Sequence, residues 1–125
     1  MSRILMADDD MVQLRLWRLV LETAGHEVQL ALEPSGVLGQ LDRAWDLLIL
    51  DLGFLNCAGV PDYREGLALI RRVRELGIGV PVVVLSGWPD DLHGKPEEKM
   101  VSRVMAKPVQ PRALLAAIAE LVPAS

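Results

Sequence analysis

The run Asp46-Leu47-Leu48-Ile49-Leu50-Asp51 constrains the fold more than any other stretch of this chain. Four consecutive aliphatic residues bounded by acids read as a strand buried on both faces, as in a parallel sheet. Gly53 follows almost at once and argues against a helix. Asp51 then stands at the strand's carboxyl end, where open α/β sheets place their ligand sites. A lone strand-end aspartate reads equally well as a turn former or a helix cap. Here three other apolar runs end in a similar way. Asp8-Asp9-Asp10 follows Ile4–Ala7, Ser86 closes Val82–Leu85, and Lys107-Pro108 follows Val104–Ala106. Carboxylates, a hydroxyl and an ammonium therefore fall at the ends of four separate apolar runs.

At 125 residues the chain makes one domain able to bury a core, and a single Phe among 51% hydrophobic residues makes that core aliphatic. No apolar run approaches the ~20 residues of a membrane span. Three aspartates interrupt the N-terminal stretch, which is no secretory signal. Cys57, the single cysteine, excludes an internal disulfide and fits a reducing compartment. It reads as an incidental thiol, with a redox-sensitive loop thiol as the alternative. A net charge of −4 argues against broad electrostatic binding to nucleic acid. These features lead us to expect a cytoplasmic protein without membrane or nucleic-acid partners.

The pattern alternates strands and helices. Ile4–Ala7 is the first strand, and the acids after it can cap a helix from about Met11 to Ala24, stopped by Gly25. On that helix Val12, Leu16, Leu19, Val20 and Thr23 form one face. Leu14, Trp17 and Leu21 form a second stripe, read as packing on a neighbouring helix or, in part, as a partner surface. Glu27–Ala31 is the second strand and Pro34–Ala44 the second helix. After strand three a long loop, Leu52–Glu65, leads to helix three, Gly66–Leu76. Pro81 opens strand four, Val82–Leu85. Pro89, Gly94 and Pro96 break Gly87–Ser102, leaving room for one short helix near Glu97–Val101. Strand five is Val104–Ala106, and a last helix starts near Pro111 and runs through Leu114–Leu121. Such alternation implies right-handed crossovers and a parallel sheet covered on both sides.

Carboxylates drawn together repel one another until a cation neutralises them. Hard oxygen ligands at a phosphate-handling site suit Mg²⁺, which takes one or two carboxylates and keeps several waters. A lysine and a hydroxyl across the pocket suit phosphoryl oxygens, and an aspartate is itself a competent phosphoryl acceptor.

With these groups in this order, the chain resembles the receiver domain of bacterial response regulators, the chemotaxis-regulator-like family. The likeness covers nearly all of Ile4–Leu121 and rests on Asp8-Asp9, Asp51, Ser86-Gly87 and Lys107-Pro108. It implies a single receiver domain over residues 1–125. The fold implied is α/β, a flavodoxin-like, doubly wound five-stranded parallel sheet of order 2-1-3-4-5 with a weak fourth helix. It further implies that Asp51 accepts phosphate from the phosphohistidine of a histidine kinase or histidine phosphotransfer protein. Asp9 and Asp51 would hold Mg²⁺ directly, with the Gly53 carbonyl as a third ligand and Asp8 acting mostly through water. Ser86 would bond a phosphoryl oxygen, with Gly87 beside it, and Lys107 another; the Lys107–Pro108 bond would be cis. Asp10 carries no family role and reads as a helix cap.

The sequence also departs from that family. The loop after Asp51 is longer than usual, and Asn56–Arg64 is extra. The family's switch aromatic, three residues before the lysine, is Val104. Trp88, two residues past Ser86, would either shield an acyl phosphate from water or simply pack in its loop. His26 and His93 read as surface or turn residues, and Trp17 and Trp45 as packing. The competing functional reading is a receiver-like binding module that works unphosphorylated through an atypical output face. A phosphatase of the haloacid dehalogenase type lacks its second aspartate, since Gly53 occupies that position, and no G-x-G-x-x-G follows strand one.

Overall fold

The structure, a computed structural model, describes residues 2–52, 63–87 and 92–122. Strands β1 (Arg3–Ala7), β2 (Glu27–Ala31), β3 (Leu47–Asp51), β4 (Val82–Ser86) and β5 (Arg103–Ala106) form one sheet. Every pairing is parallel, and the order is β2-β1-β3-β4-β5. The helices are α1 (Met11–Thr23), α2 (Pro34–Leu38), α3 (Tyr63–Glu75) and α4 (Pro111–Leu121). This is the doubly wound architecture expected from the alternation, with β1 and β3 adjacent.

The period of two along each strand sorts the core into two layers. Leu5, Leu48, Leu50 and Val84 face α2 and α3, where Val37, Ile70 and Val73 cover them. Ile4, Met6, Ile49 and Val83 face the other way, under Leu14 and Leu21 of α1 and Leu114 and Ile118 of α4. Full burial of each such side chain stabilises the fold by about 1.5–3 kcal/mol. Because both faces are covered, the central strands carry no polar alternation, which is why β3 is aliphatic from Leu47 to Leu50.

Helix α1 corrects the sequence reading of its faces. Leu14 and Leu21 are 0% exposed, whereas Val12, Leu16 and Leu19 are 66%, 56% and 65% exposed. Of the face first picked out by spacing, these three residues meet solvent, and the second stripe, read as packing on a neighbouring helix, meets the sheet layer. Asp10 sets the phase: its Oδ1 accepts from the Val12 and Gln13 amides at 3.0 and 3.3 Å, so the helix begins three residues after β1. From that start Leu14 and Leu21, two turns apart, point inward.

Helix α2 is shorter than expected, ending at Leu38 rather than Ala44. Gly36 and Gly39 weaken it, and the chain continues in i→i+3 turns, Gln40 N to Val37 O and Arg43 N to Gln40 O. Helix α3 begins at Tyr63, inside the segment read as loop. A Cβ on Gly66 would stand 2.9 Å from Leu52 Cδ1 and 3.2 Å from Leu52 Cα. Only glycine lets α3 lie this close to the residue that follows Asp51.

In place of a fourth crossover helix stands a 3₁₀ turn, Pro96–Met100. Two arginines of α3 hold it. Arg74 donates from Nε and Nη2 to the Met100 carbonyl at 2.9 and 2.8 Å, and from Nη1 to the Ile78 carbonyl at 2.8 Å. Burial pulls its pKa below the ordinary arginine value. Arg71 pairs at 3.3 Å with Glu97, whose side chain is only 9% exposed. At the opposite end of the sheet from the pocket, Trp45 packs as expected, donating to the Gln40 carbonyl under the Arg3 guanidinium. His26 lies in the turn before β2, half-buried, and burial lowers its pKa; His93 is exposed and meets Glu98. Among the described residues no helix is long and apolar enough to cross a membrane.

Candidate functional site

The polar residues that close four apolar runs meet at the carboxyl edge of the sheet. Register brings them there: Ala7 lies beside Leu50, Asp51 beside Leu85, and Ser86 beside Ala106. Backbone bonds extend the ladder past the strand ends. The Asp8 amide donates to the Ala31 carbonyl at 3.1 Å, Leu52 to Leu85 at 3.0 Å, and Lys107 to Ser86 at 2.8 Å. Asp8, Asp51 and Ser86 are only 5%, 4% and 4% exposed. Lys107 Nζ donates to Asp51 Oδ2 as an ion pair. Asp8 Oδ1 accepts the Asp10 amide at 3.1 Å, which ties the buried acid to the cap of α1. Asp9 is half-buried between them in sequence, Gly87 is exposed just after β4, and the Lys107–Pro108 bond is cis.

Two buried carboxylates carry a heavy desolvation cost, and Lys107 compensates one of them. Among the described residues, no three acidic, cysteine or histidine side chains close around one point. Buried carboxylates are hard oxygen donors, and a cation such as Mg²⁺ takes one or two of them and keeps several waters. Gly53, the expected carbonyl ligand, lies outside the described residues, as do Cys57 and Trp88.

Comparison with known proteins decides the family. A family model described as the response regulator receiver domain matches residues 4–119. The chain belongs to this family. The virulence transcriptional regulatory protein PhoP of Salmonella typhimurium is 33% identical over 97 residues, covering 74% of this chain and 40% of PhoP. The chain spans less than half the length of the curated relatives it matches. Among solved structures, the Francisella response regulator 1452 receiver domain aligns with a TM-score of 0.82 at 20% identity, covering 98% of this chain and 97% of that one. The Thermotoga maritima response regulator TrrA, in complex with Mg²⁺-BeF, aligns with a TM-score of 0.79 at 20% identity, covering 97% and 99%.

The receiver domain thus has the expected fold, and its pocket gathers Asp8, Asp51, Ser86 and Lys107 as the sequence order suggested. Two features lay beyond sequence reasoning. One is a cavity of about 480 Å³ beside the pocket, between α1 and the β5–α4 connection, with Asp8 and Lys107 on its border. Only the bulk of Trp17 in the inward stripe of α1 hinted at it. The other is the Arg74 clamp, whose acceptors are backbone carbonyls that no side-chain pattern reveals. Val104, three residues before Lys107, is half-buried against the core.

Proposed function

We propose that this receiver domain is a phosphoacceptor of a two-component system or phosphorelay, with residues 1–125 as a single receiver domain acting in the cytoplasm. Asp51 takes the phosphoryl group, in a Mg²⁺-dependent reaction, from the phosphohistidine of a histidine kinase or histidine phosphotransfer protein. One observation carries this reading: the Lys107 ammonium contacts a buried Asp51 carboxylate beside a second buried carboxylate, Asp8. The Mg²⁺-BeF complex of TrrA supports it by analogy.

In transfer, an Asp51 oxygen attacks phosphorus, the P–N bond breaks, and its electron pair returns to the donor ring. Lys107 moves from the carboxylate to a phosphoryl oxygen, and the Ser86 hydroxyl donates to another, with the Gly87 backbone beside it. Both groups are held at adjacent strand ends before the phosphoryl group arrives, so they stabilise its charge without reorganising. Asp9 and Asp51 would hold Mg²⁺, with Asp8 acting through water and the Gly53 carbonyl as a further ligand, and the ion would supply positive charge to the phosphoryl oxygens. The domain promotes only its own phosphorylation and dephosphorylation and is a signalling element rather than a turnover enzyme.

The donor docks on α1 and on the loop after Lys107. Leu14 is fully buried and takes no part; the exposed ridge Val12, Leu16 and Leu19, with Arg15 and Arg18 beside it, forms the footprint on α1. The test is incubation with acetyl phosphate or phosphoramidate, with and without Mg²⁺, followed by intact mass. Wild type gains one phosphoryl group only with Mg²⁺, and Asp51→Asn gains none. A wild type that never gains it favours the second reading, a binding module working unphosphorylated, which Val104 in place of the switch aromatic supports.

A further inference from the structure

Asp10 does more than start α1, because three parts of the residue are held at once. Its Oδ1 accepts the Val12 and Gln13 amides at 3.0 and 3.3 Å, and its carbonyl accepts the Leu14 amide at 3.0 Å. Its own amide donates to Asp8 Oδ1 at 3.1 Å. The cap keeps the residue extended, at φ −97° and ψ 103°, and that backbone setting fixes where the N–H points. Asp8 is buried, so water is poorly placed to replace the bond if the amide turns away. Its backbone is fixed as well, by the bond from its amide to the Ala31 carbonyl. The Asp10 amide therefore sets the orientation of the Asp8 carboxylate.

We propose that Asp10 is a positioning residue for Mg²⁺: through its cap it aims the amide that orients Asp8, and so sets how tightly the domain holds the ion. The inference rests on the Mg²⁺ reading of the pocket and adds to it a residue that is not itself a ligand. Carboxylates around a metal are oriented by the groups that bond them, and loss of such a group weakens metal binding. Here the orienting group is a backbone amide, so the side chain that matters is the one that fixes the backbone. The cap thereby links the cation's surroundings to the first turn of α1, the helix on which the donor docks. The link runs both ways: whatever orders that turn favours the ion, and the ion orders the turn.

Three variants test it. Asp10→Ala removes the cap, Asp10→Asn keeps the cap without the charge, and Leu21→Val loosens the buried far end of α1. Mg²⁺ is titrated into each ¹⁵N-labelled protein at about 0.15 M salt, where exposed charges are screened, and followed at the Ser86 and Lys107 amides. The dissociation constant should rise about tenfold in Asp10→Ala and stay within about twofold of wild type in the other two. An equal rise in Asp10→Asn would assign the effect to charge, and an equal rise in Leu21→Val to general loosening. Either result, or no rise in Asp10→Ala, overturns the proposal. A second measurement needs no metal: hydrogen exchange at the Val12 and Gln13 amides in chelator. Exchange should quicken severalfold in Asp8→Ala, which removes the acceptor of the Asp10 amide; unchanged exchange shows the two residues uncoupled and overturns the proposal. A wild type with this coupling that binds no Mg²⁺ rejects the Mg²⁺ reading, and the proposal with it, while the link between Asp8 and α1 stands.

Discussion

Helix α3 presents three arginines within one turn, and their surroundings predict three different costs of removal. Arg74→Met is the informative change. Methionine keeps an apolar stem and a comparable helix propensity, so the loss is confined to the guanidinium. That group makes three bonds to two carbonyls, at 2.9, 2.8 and 2.8 Å, from a half-buried position. Hydrogen bonds from charged donors contribute about 1.5–3 kcal/mol each, and a carbonyl left without a partner costs about 1–3 kcal/mol. Partial exposure lets water recover some of this, so about 2–3 kcal/mol is expected overall. For a domain of this size that corresponds to a fall in melting temperature of roughly 8–12 °C. Arg72 has an exposed partner in Glu75, and Arg72→Met should cost less than about 0.5 kcal/mol. Arg71→Met strands the nearly buried Glu97 and should fall between the two. Urea unfolding of the three variants provides the ranking. If Arg74→Met costs no more than Arg72→Met, the clamp contributes nothing and the reasoning fails.

Leu14→Ala removes a fully buried side chain from the α1 layer and should cost about 3 kcal/mol, whereas Leu16→Ala, on the exposed ridge, should stay within about 0.5 kcal/mol. Denaturant midpoints check both, and the reverse ranking would refute the burial assigned to the two faces of α1. Asp8→Asn keeps an acceptor for the Asp10 amide but removes one of two buried charges. In chelator it should stabilise the domain by about 1–2 kcal/mol through relieved repulsion. Wild type should gain stability on adding Mg²⁺, by binding to the folded state alone, and the variant should gain much less. Equal gains in both would exclude Asp8 from the cation's surroundings.

Much of the fold was legible because burial on both faces leaves an unmistakable trace. Leu47–Leu50 and Val82–Leu85 are aliphatic without interruption, and each ends in a group with chemistry of its own. The face of α1 was not legible, since Val12, Leu16 and Leu19 are as apolar as Leu14 and Leu21. The cap at Asp10, not hydrophobicity, decides between them. The length of α2 was overread because Ser35–Leu41 carries a helical spacing that Gly36 and Gly39 undercut. The pocket was legible as an ordered set of residues, but the cavity beside it was not, because a void is a property of shape. Arg74 was visible only as one of three basic residues; that it alone reaches backbone carbonyls depends on where the 3₁₀ turn lands.

That turn lies in the broken segment after Ser86, and the pocket is built independently of it. The alignment of Ser86 with Lys107 does not depend on what joins them. Ser86 sits opposite Ala106 in the β4–β5 ladder, and the Lys107 amide bonds the Ser86 carbonyl directly. Two adjacent strand ends in register thus set the hydroxyl and the ammonium side by side, and β3 presents Asp51 to both from the other flank of β4. The connection between Gly87 and Ser102 is anchored separately, on α3 through Arg71 and Arg74. Among the described residues this connection carries a 3₁₀ turn rather than an α-helix, and the pairing of Ser86 with Lys107 does not depend on it. The departures from the family and the features shared with it lie on different parts of the same frame.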